Sequence, residues 1–182
     1  MLNKKGTVGL ISAAAAVVGV LTAAAPAGAA GSTQASTAQG KHCVVVVDKA
    51  PSDGGVSPEL YRDCADTAAK ARALLASPQA KAQTNGRAIQ ATALMTWYSD
   101  DQLRGNSTIV YGNAGTCDSS GYRLRPDGYW STNISSASGW GRCTVATFHN
   151  RASTYAATFR LPARNLGPNL NDNVGIIDVF YG

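Results

Sequence analysis

A phrase stated twice constrains this chain more than any other feature. Tyr98-x4-Leu103-x-Gly105-x-Ser107 follows a run with strand character. About fifty residues on, Phe148 is followed by Tyr155-x-Ala157-x-Phe159 after a second such run. Each half closes on a polar-aliphatic phrase, Ser131-Thr132-Asn133-Ile134-Ser135-Ser136 and Asn171-Asp172-Asn173-Val174-Gly175-Ile176. A repeat of this length fixes architecture, because each copy is one supersecondary unit. Residues 95–182 therefore read as two related β units in one module. The glycine has a physical use: a turn folding back over its sheet needs a residue without Cβ. The hydroxyl that follows can hydrogen-bond the folded hairpin.

The surrounding text agrees. Ala93–Tyr98, Ser107–Tyr111, Tyr122–Arg125, Thr144–Phe148, Thr158–Leu161 and Val174–Phe180 are short runs separated by Gly, Pro and Asn turns. That punctuation indicates an antiparallel sandwich.

The N-terminus has a different composition. Lys4 and Lys5 precede an uncharged apolar run from Leu10 to Leu21, and Ala27-Gly28-Ala29 offers a small-residue cleavage site. Residues 1–29 carry all three parts of a secretory signal peptide. A membrane anchor is the competing reading, but the run is mostly Ala and Gly and breaks at Pro26. No later stretch approaches membrane length, so no membrane association is expected after cleavage. Residues 30–42 are a flexible Gly/Ser/Thr/Ala/Gln-rich leader. Without Lys4 and Lys5, fourteen basic and eleven acidic side chains remain, a scattered net charge of about +3. No basic run resembles a nucleic-acid footprint.

All four cysteines, Cys43, Cys64, Cys117 and Cys143, lie in the mature part. In an exported chain two disulfides are the default, and four cysteines allow three pairings. Pairing neighbours, Cys43–Cys64 and Cys117–Cys143, is simplest, since it staples two short loops, each worth roughly 3–4 kcal/mol. The cysteines form no CxxC pair, which argues against a metal site.

Residues 43–90 read as a strand-helix cap. Cys43–Val47 is a β-branched strand. Ser57-Pro58-Glu59 has the chemistry of a helix start, and apolar positions at Leu60, Cys64, Ala68 and Ala71 predict a helix over 60–76. A partner-binding arm and a removable pro-segment are alternatives. The cap is favoured because an Ala-rich helix of this length needs a surface to pack on.

With these residues in place, 94–182 resembles a bacterial βγ-crystallin-like domain, two Greek-key motifs forming one sandwich. Tyr98, Gly105 and Ser107 match the family's hairpin, with Leu103 in place of its second aromatic. Phe148 and Tyr155 take the aromatic roles in the second copy, and Ala157 stands where Gly is expected. Trp130 and Asn171-Asp172 fit their places. The whole mature chain looks like secreted actinobacterial proteins with an extra N-terminal segment. The fold expected is mainly β, a Greek-key sandwich preceded by a strand and helix.

The resemblance also implies where chemistry would sit. The closing phrases of that family supply oxygens for two calcium ions, each shared between the halves. Here Ser131-Thr132 replaces one Asn/Asp pair and Gly175 replaces one hydroxyl. Asn171 and Asp172 with Ser135 would form one weak Ca2+ site. The site pairing Ser131-Thr132 with Gly175 is expected to be lost. A local role for Asn171 and Asp172, capping a turn, is the simpler reading.

Catalysis has little support. His42, His149, Asp100 and Asp101 sit apart in the sequence, and there is no nucleophile elbow, metal motif or phosphate loop. His149 is expected to face solvent. The expected protein is a secreted, monomeric binding or structural module, not an enzyme. The main alternative is a metalloprotease (peptidase) inhibitor, since some secreted proteins of this fold act so. Its reactive segment would be loop 112–121, held by Cys117, or turn 126–142 with Tyr129 and Trp140 exposed and Trp130 buried. Tyr129 and Trp140 would otherwise serve as a cell-wall or carbohydrate surface.

Overall fold

The computed structural model describes residues 42–182; the signal-peptide and leader assignments lie outside the described residues, His42 excepted. The first of two sheets has the order β2 (Glu59–Ala65), β1 (His42–Val47), β4 (Arg104–Gly112), β3 (Thr92–Asp100) and β6 (Ser136–Gly139). The second has the order β5 (Tyr122–Leu124), β9 (Val174–Phe180), β7 (Val145–Asn150) and β8 (Ala156–Arg160). Two short helices, α1 (Ala68–Ala73) and α2 (Pro78–Gln83), lie between β2 and β3 in the chain.

The valine run explains the position of β1. A strand buried on both faces is a continuous apolar run, not an alternating one. Val44, Val45, Val46 and Val47 are all buried. Val45 and Val47 enter the main core, while Val44 and Val46 join Tyr61, Ala71, Ala80 and Ala88 on the other side. Each valine contributes about 1.5–3 kcal/mol of apolar burial. The strand pairs antiparallel with β2 and parallel with β4, so the N-terminal hairpin continues the first sheet.

The helix expected over 60–76 is corrected. Residues 59–65 form β2, with Cys64 directly opposite Cys43 and Tyr61 opposite Val46. Leu60, Cys64, Ala68 and Ala71 satisfy a helical period, but ladder pairing with β1 outweighs it. Ser57 caps no helix. Its N–H donates to the Arg123 carbonyl and its hydroxyl accepts from the Arg123 N–H, at 2.8 and 3.2 Å. Helix α1 starts instead at Thr67, whose hydroxyl accepts from the Lys70 N–H. Pro78 opens α2 behind the Ser77 cap instead of ending a longer helix. The apolar sides of these helices cover Val44 and Val46, and the Tyr61 hydroxyl donates to the Leu74 carbonyl at 3.2 Å.

The two halves are joined by pairing at two further places. Strand β5 leaves its own half and pairs with β9. In return, Ala163 of the second half bridges Ala137 of β6. One cluster fills the space between the sheets, with Trp97, Val110 and Trp130 from the first half and Phe148, Leu170 and Ile177 from the second. Both disulfides join sequence neighbours, Cys43–Cys64 and Cys117–Cys143.

The glycine of the first hairpin has the expected role. Gly105 has φ +80°, and a Cβ there would collide with Ser99 Oγ and lie 2.6 Å from Asp100 Oδ1. The hydroxyl bracing the turn is Ser99, which accepts from the Asn106 N–H at 2.9 Å. Ser107 is buried and bonds His42 Nδ1 instead, at 2.8 Å.

Candidate functional site

The closing phrases meet across the halves at two places. At the first, the Asp172 N–H donates to the Ile134 carbonyl at 3.0 Å. The Ser135 hydroxyl donates to the Ser99 carbonyl at 2.7 Å, and its oxygen lies 3.5 Å from Asp172 Oδ1. Asp172 has φ +56°, a left-handed conformation that aspartate tolerates better than most residues. Asn171 Nδ2 donates to Asp172 Oδ2 at 2.8 Å, so the amide braces the carboxylate. Ser135 and Asp172 are thus brought together, with Asn171 beside them. The oxygens gathered here are the Asp172 carboxylate, the Ser135 hydroxyl and the Ser99 and Ile134 carbonyls. Calcium takes six to eight oxygens, more than are gathered here, and these already accept hydrogen bonds from Ser135, Asp172 and Asn171. Among the described residues, no group of three or more His, Cys, Asp or Glu is arranged to hold a metal.

At the second place, Gly175 stands where Ser135 stands in the first half. A Cβ there would lie 2.9 Å from Arg151 Cα and 3.0 Å from the Asn150 carbonyl, so β9 runs close against the turn backbone. An open cleft of about 340 Å³ lies here, lined by Arg125, Pro126, Ser131, Arg151, Ser153, Gly175 and Ile176. Ser131 and Gly175 therefore share one site, as their positions in the repeat require.

Tyr129 and Trp140 are exposed, 51% and 42%, but they do not form one surface. The Trp140 N–H bonds the Leu94 carbonyl, and its indole N–H donates to Thr96 Oγ1 at 2.9 Å. The Tyr129 hydroxyl accepts from Asn106, beside Ser99 at the other end of β3. Five residues of strand separate these ends, roughly 17 Å. Trp130, between them in sequence, is buried against Trp97 with ring centroids 6.3 Å apart.

Loop 112–121 is held along its length. The Asn113 N–H bonds the Val47 carbonyl, and the Tyr122 hydroxyl donates to the Gly115 carbonyl at 2.7 Å. Cys117 is tied to Cys143, and the Tyr181 N–H bonds the Asp118 carbonyl. Lys49 Nζ lies 2.7 Å from Asp118 Oδ1, which also accepts from the Gly121 and Ser120 N–H groups. The hydrogen bond from Lys49, with help from the Gly121 amide, holds the Asp118 carboxyl down at about 2.

His149 lies on the outer face of β7, where it is not free in solvent but paired. Its side chain is 28% exposed and Nε2 sits 2.9 Å from Asp178 Oδ2. Arg123 shares that carboxylate at 3.0 Å. Asp101, at the first hairpin, accepts from Asn165 Nδ2 at 2.6 Å.

No protein-family model, curated protein or solved structure matches this chain. Among the described residues, no helix is long and apolar enough to cross a membrane. Sequence reasoning missed Arg125 and Arg151, which are 26 residues apart and had no pattern to join them.

Proposed function

We propose that this chain is a secreted, disulfide-stabilised βγ-crystallin-like binding or structural protein, without catalysis, that holds one calcium ion weakly. The pairing between halves carries this reading: β5 pairs in the sheet of the second half, and Ala163 makes a single bridge to that of the first. Two Greek keys interlocked in this way place each closing phrase beside the other half. Ser135 and Asp172 would hold the ion, with the Ser99 carbonyl turned toward the same space. Support for secretion comes from the leader sequence and from the two disulfides. The histidines serve the scaffold in this reading, His42 on Ser107 and His149 on Asp178.

Calcium titration of the purified mature protein tests it. Extracellular sites of this class bind at about 10⁻⁴–10⁻³ M. A tenfold excess over Kd stabilises by about 1.4 kcal/mol, a Tm rise of roughly 3–6 °C. Asp172→Asn, which keeps the left-handed backbone accessible, should remove the response. A wild-type Tm indifferent to millimolar calcium would refute the calcium part.

The pinned loop favours a second reading, a metalloprotease inhibitor. A reactive segment must be exposed and rigid, and residues 112–121 combine a buried disulfide with bonds to Val47, Lys49 and Tyr181. Incubation with extracellular metalloproteases and serine proteases should then give tight inhibition of a metalloprotease with the loop intact. Steady cleavage within 112–121 or 126–142 would eliminate this reading.

A further inference from the structure

The cleft at Gly175 differs in charge from its counterpart in the first half. The Ser135 place carries the Asp172 carboxylate and has no basic side chain in its bonding network. The Gly175 place is lined by two arginines and no acid. Arg62 and Arg123 are paired with carboxylates, and Arg142 lies over the Tyr181 ring. Arg125 and Arg151, both exposed, make no hydrogen bond or ion pair among the described residues. Two permanent positive charges sharing one concavity repel each other and focus a positive potential into it.

We propose that this cleft binds a phosphate or sulfate group between the Arg125 and Arg151 guanidiniums, with the Ser153 hydroxyl as a further donor. Guanidinium N–H forks match the edges of tetrahedral oxyanions, and these bonds are about twice as strong as neutral ones. The Ser131 hydroxyl already donates to the Gly128 carbonyl at 3.0 Å, so it shapes the wall and is not a donor to the anion. The absence of a side chain at Gly175 lets β9 lie close against the turn backbone that carries Arg151. The volume is at the small end for ligand clefts and admits a phosphate monoester as well as the free ion.

Isothermal titration of the full mature chain tests this at low ionic strength, using inorganic phosphate, inorganic sulfate and glycerol phosphate. Sodium chloride at matched ionic strength is the control. Saturable phosphate binding is expected, and chloride should not reproduce it. Arg125→Gln and Arg151→Gln should each weaken it by roughly tenfold or more. Arg160→Gln, an exposed arginine on β8 outside the cleft, should leave it unchanged. Ser131→Glu offers an independent check, since a carboxylate on the wall should displace the anion while both arginines remain. Tighter binding of glycerol phosphate would assign the site to a monoester, and tighter inorganic phosphate to the free ion. An effect matched by chloride, or binding retained in both arginine variants, would overturn the proposal.

Discussion

Replacing Trp130 by alanine is expected to lower stability by about 3–5 kcal/mol. The indole is 2% exposed and sits among residues of both halves. It packs at a tilt against Trp97 and edge-on to Tyr129, with the Tyr129 centroid 5.2 Å away. The backbone N–H of Trp130 donates to Asp127 Oδ1 at 2.9 Å, which starts the turn carrying Ser131 and the rest of the closing phrase. The cavity would lie inside the cluster between the sheets, walled by residues that are themselves buried. Against a total of about 5–15 kcal/mol for a domain of this size, such a loss leaves little margin. Guanidinium unfolding measures it, with Tyr129→Ala as the comparison. Tyr129 is half exposed, and its removal should cost clearly less. A Trp130→Ala cost below about 1 kcal/mol, the scale of a surface change, would contradict this account of the core.

The second large effect concerns the Cys117–Cys143 bridge. Both cysteines are 1% exposed, and the bridge closes a 26-residue separation. It joins the segment before β5 to the segment before β7, two of the three points where the chain changes sheets. Loop-closure entropy for this separation is about 3.5 kcal/mol. Cys117→Ala with Cys143→Ala should therefore lower Tm by roughly 7–14 °C. The Cys43–Cys64 bridge has a separation of 21, and the same model gives it nearly the same worth. A difference between the two double variants would thus report native packing, not loop length. No change in Tm on losing Cys117–Cys143 would contradict the loop-closure account of this bridge.

Much of the fold was legible where burial is one-sided or complete. Val174–Phe180 reads as a strand and is one, because its apolar residues recur with turns on either side. The failure at 59–65 has a clear cause. Leu60, Cys64, Ala68 and Ala71 fit a helix, and only the partner strand reveals that Cys64 must face Cys43. Strand β6 was invisible for a different reason. Ser-Ala-Ser-Gly has no β-branched residue, and the segment is extended because β3 pairs with it. At Gly139 a side chain would strike the Cys143 carbonyl, a contact that no local pattern encodes. The meeting of Ser135 with Asp172 was readable only through the family resemblance, which implies that each closing phrase is shared between the halves. His149 was not, because its partner Asp178 lies on a neighbouring strand 29 residues away. The arginine cleft was hidden too: Arg125 and Arg151 look like solvated surface charges until β5 and β7, on either side of β9, bring them to one place.

The central position of β1 makes assembly a question of time. Its partner β4 lies 65 residues further along the chain, at constant register from His42–Ser107 to Val47–Gly112. At about 5–20 residues per second, synthesis alone separates the two strands by roughly 3–13 s. Strand β2 arrives first, and the Cys43–Cys64 bridge can close over it. Until β4 arrives, the other edge of β1 is unpaired and Val45 and Val47 have no core to enter. Four consecutive valines with a bare edge are a nucleus for intermolecular sheet formation. The stretch that anchors the finished molecule is therefore the one in greatest danger of aggregation while the molecule is being made.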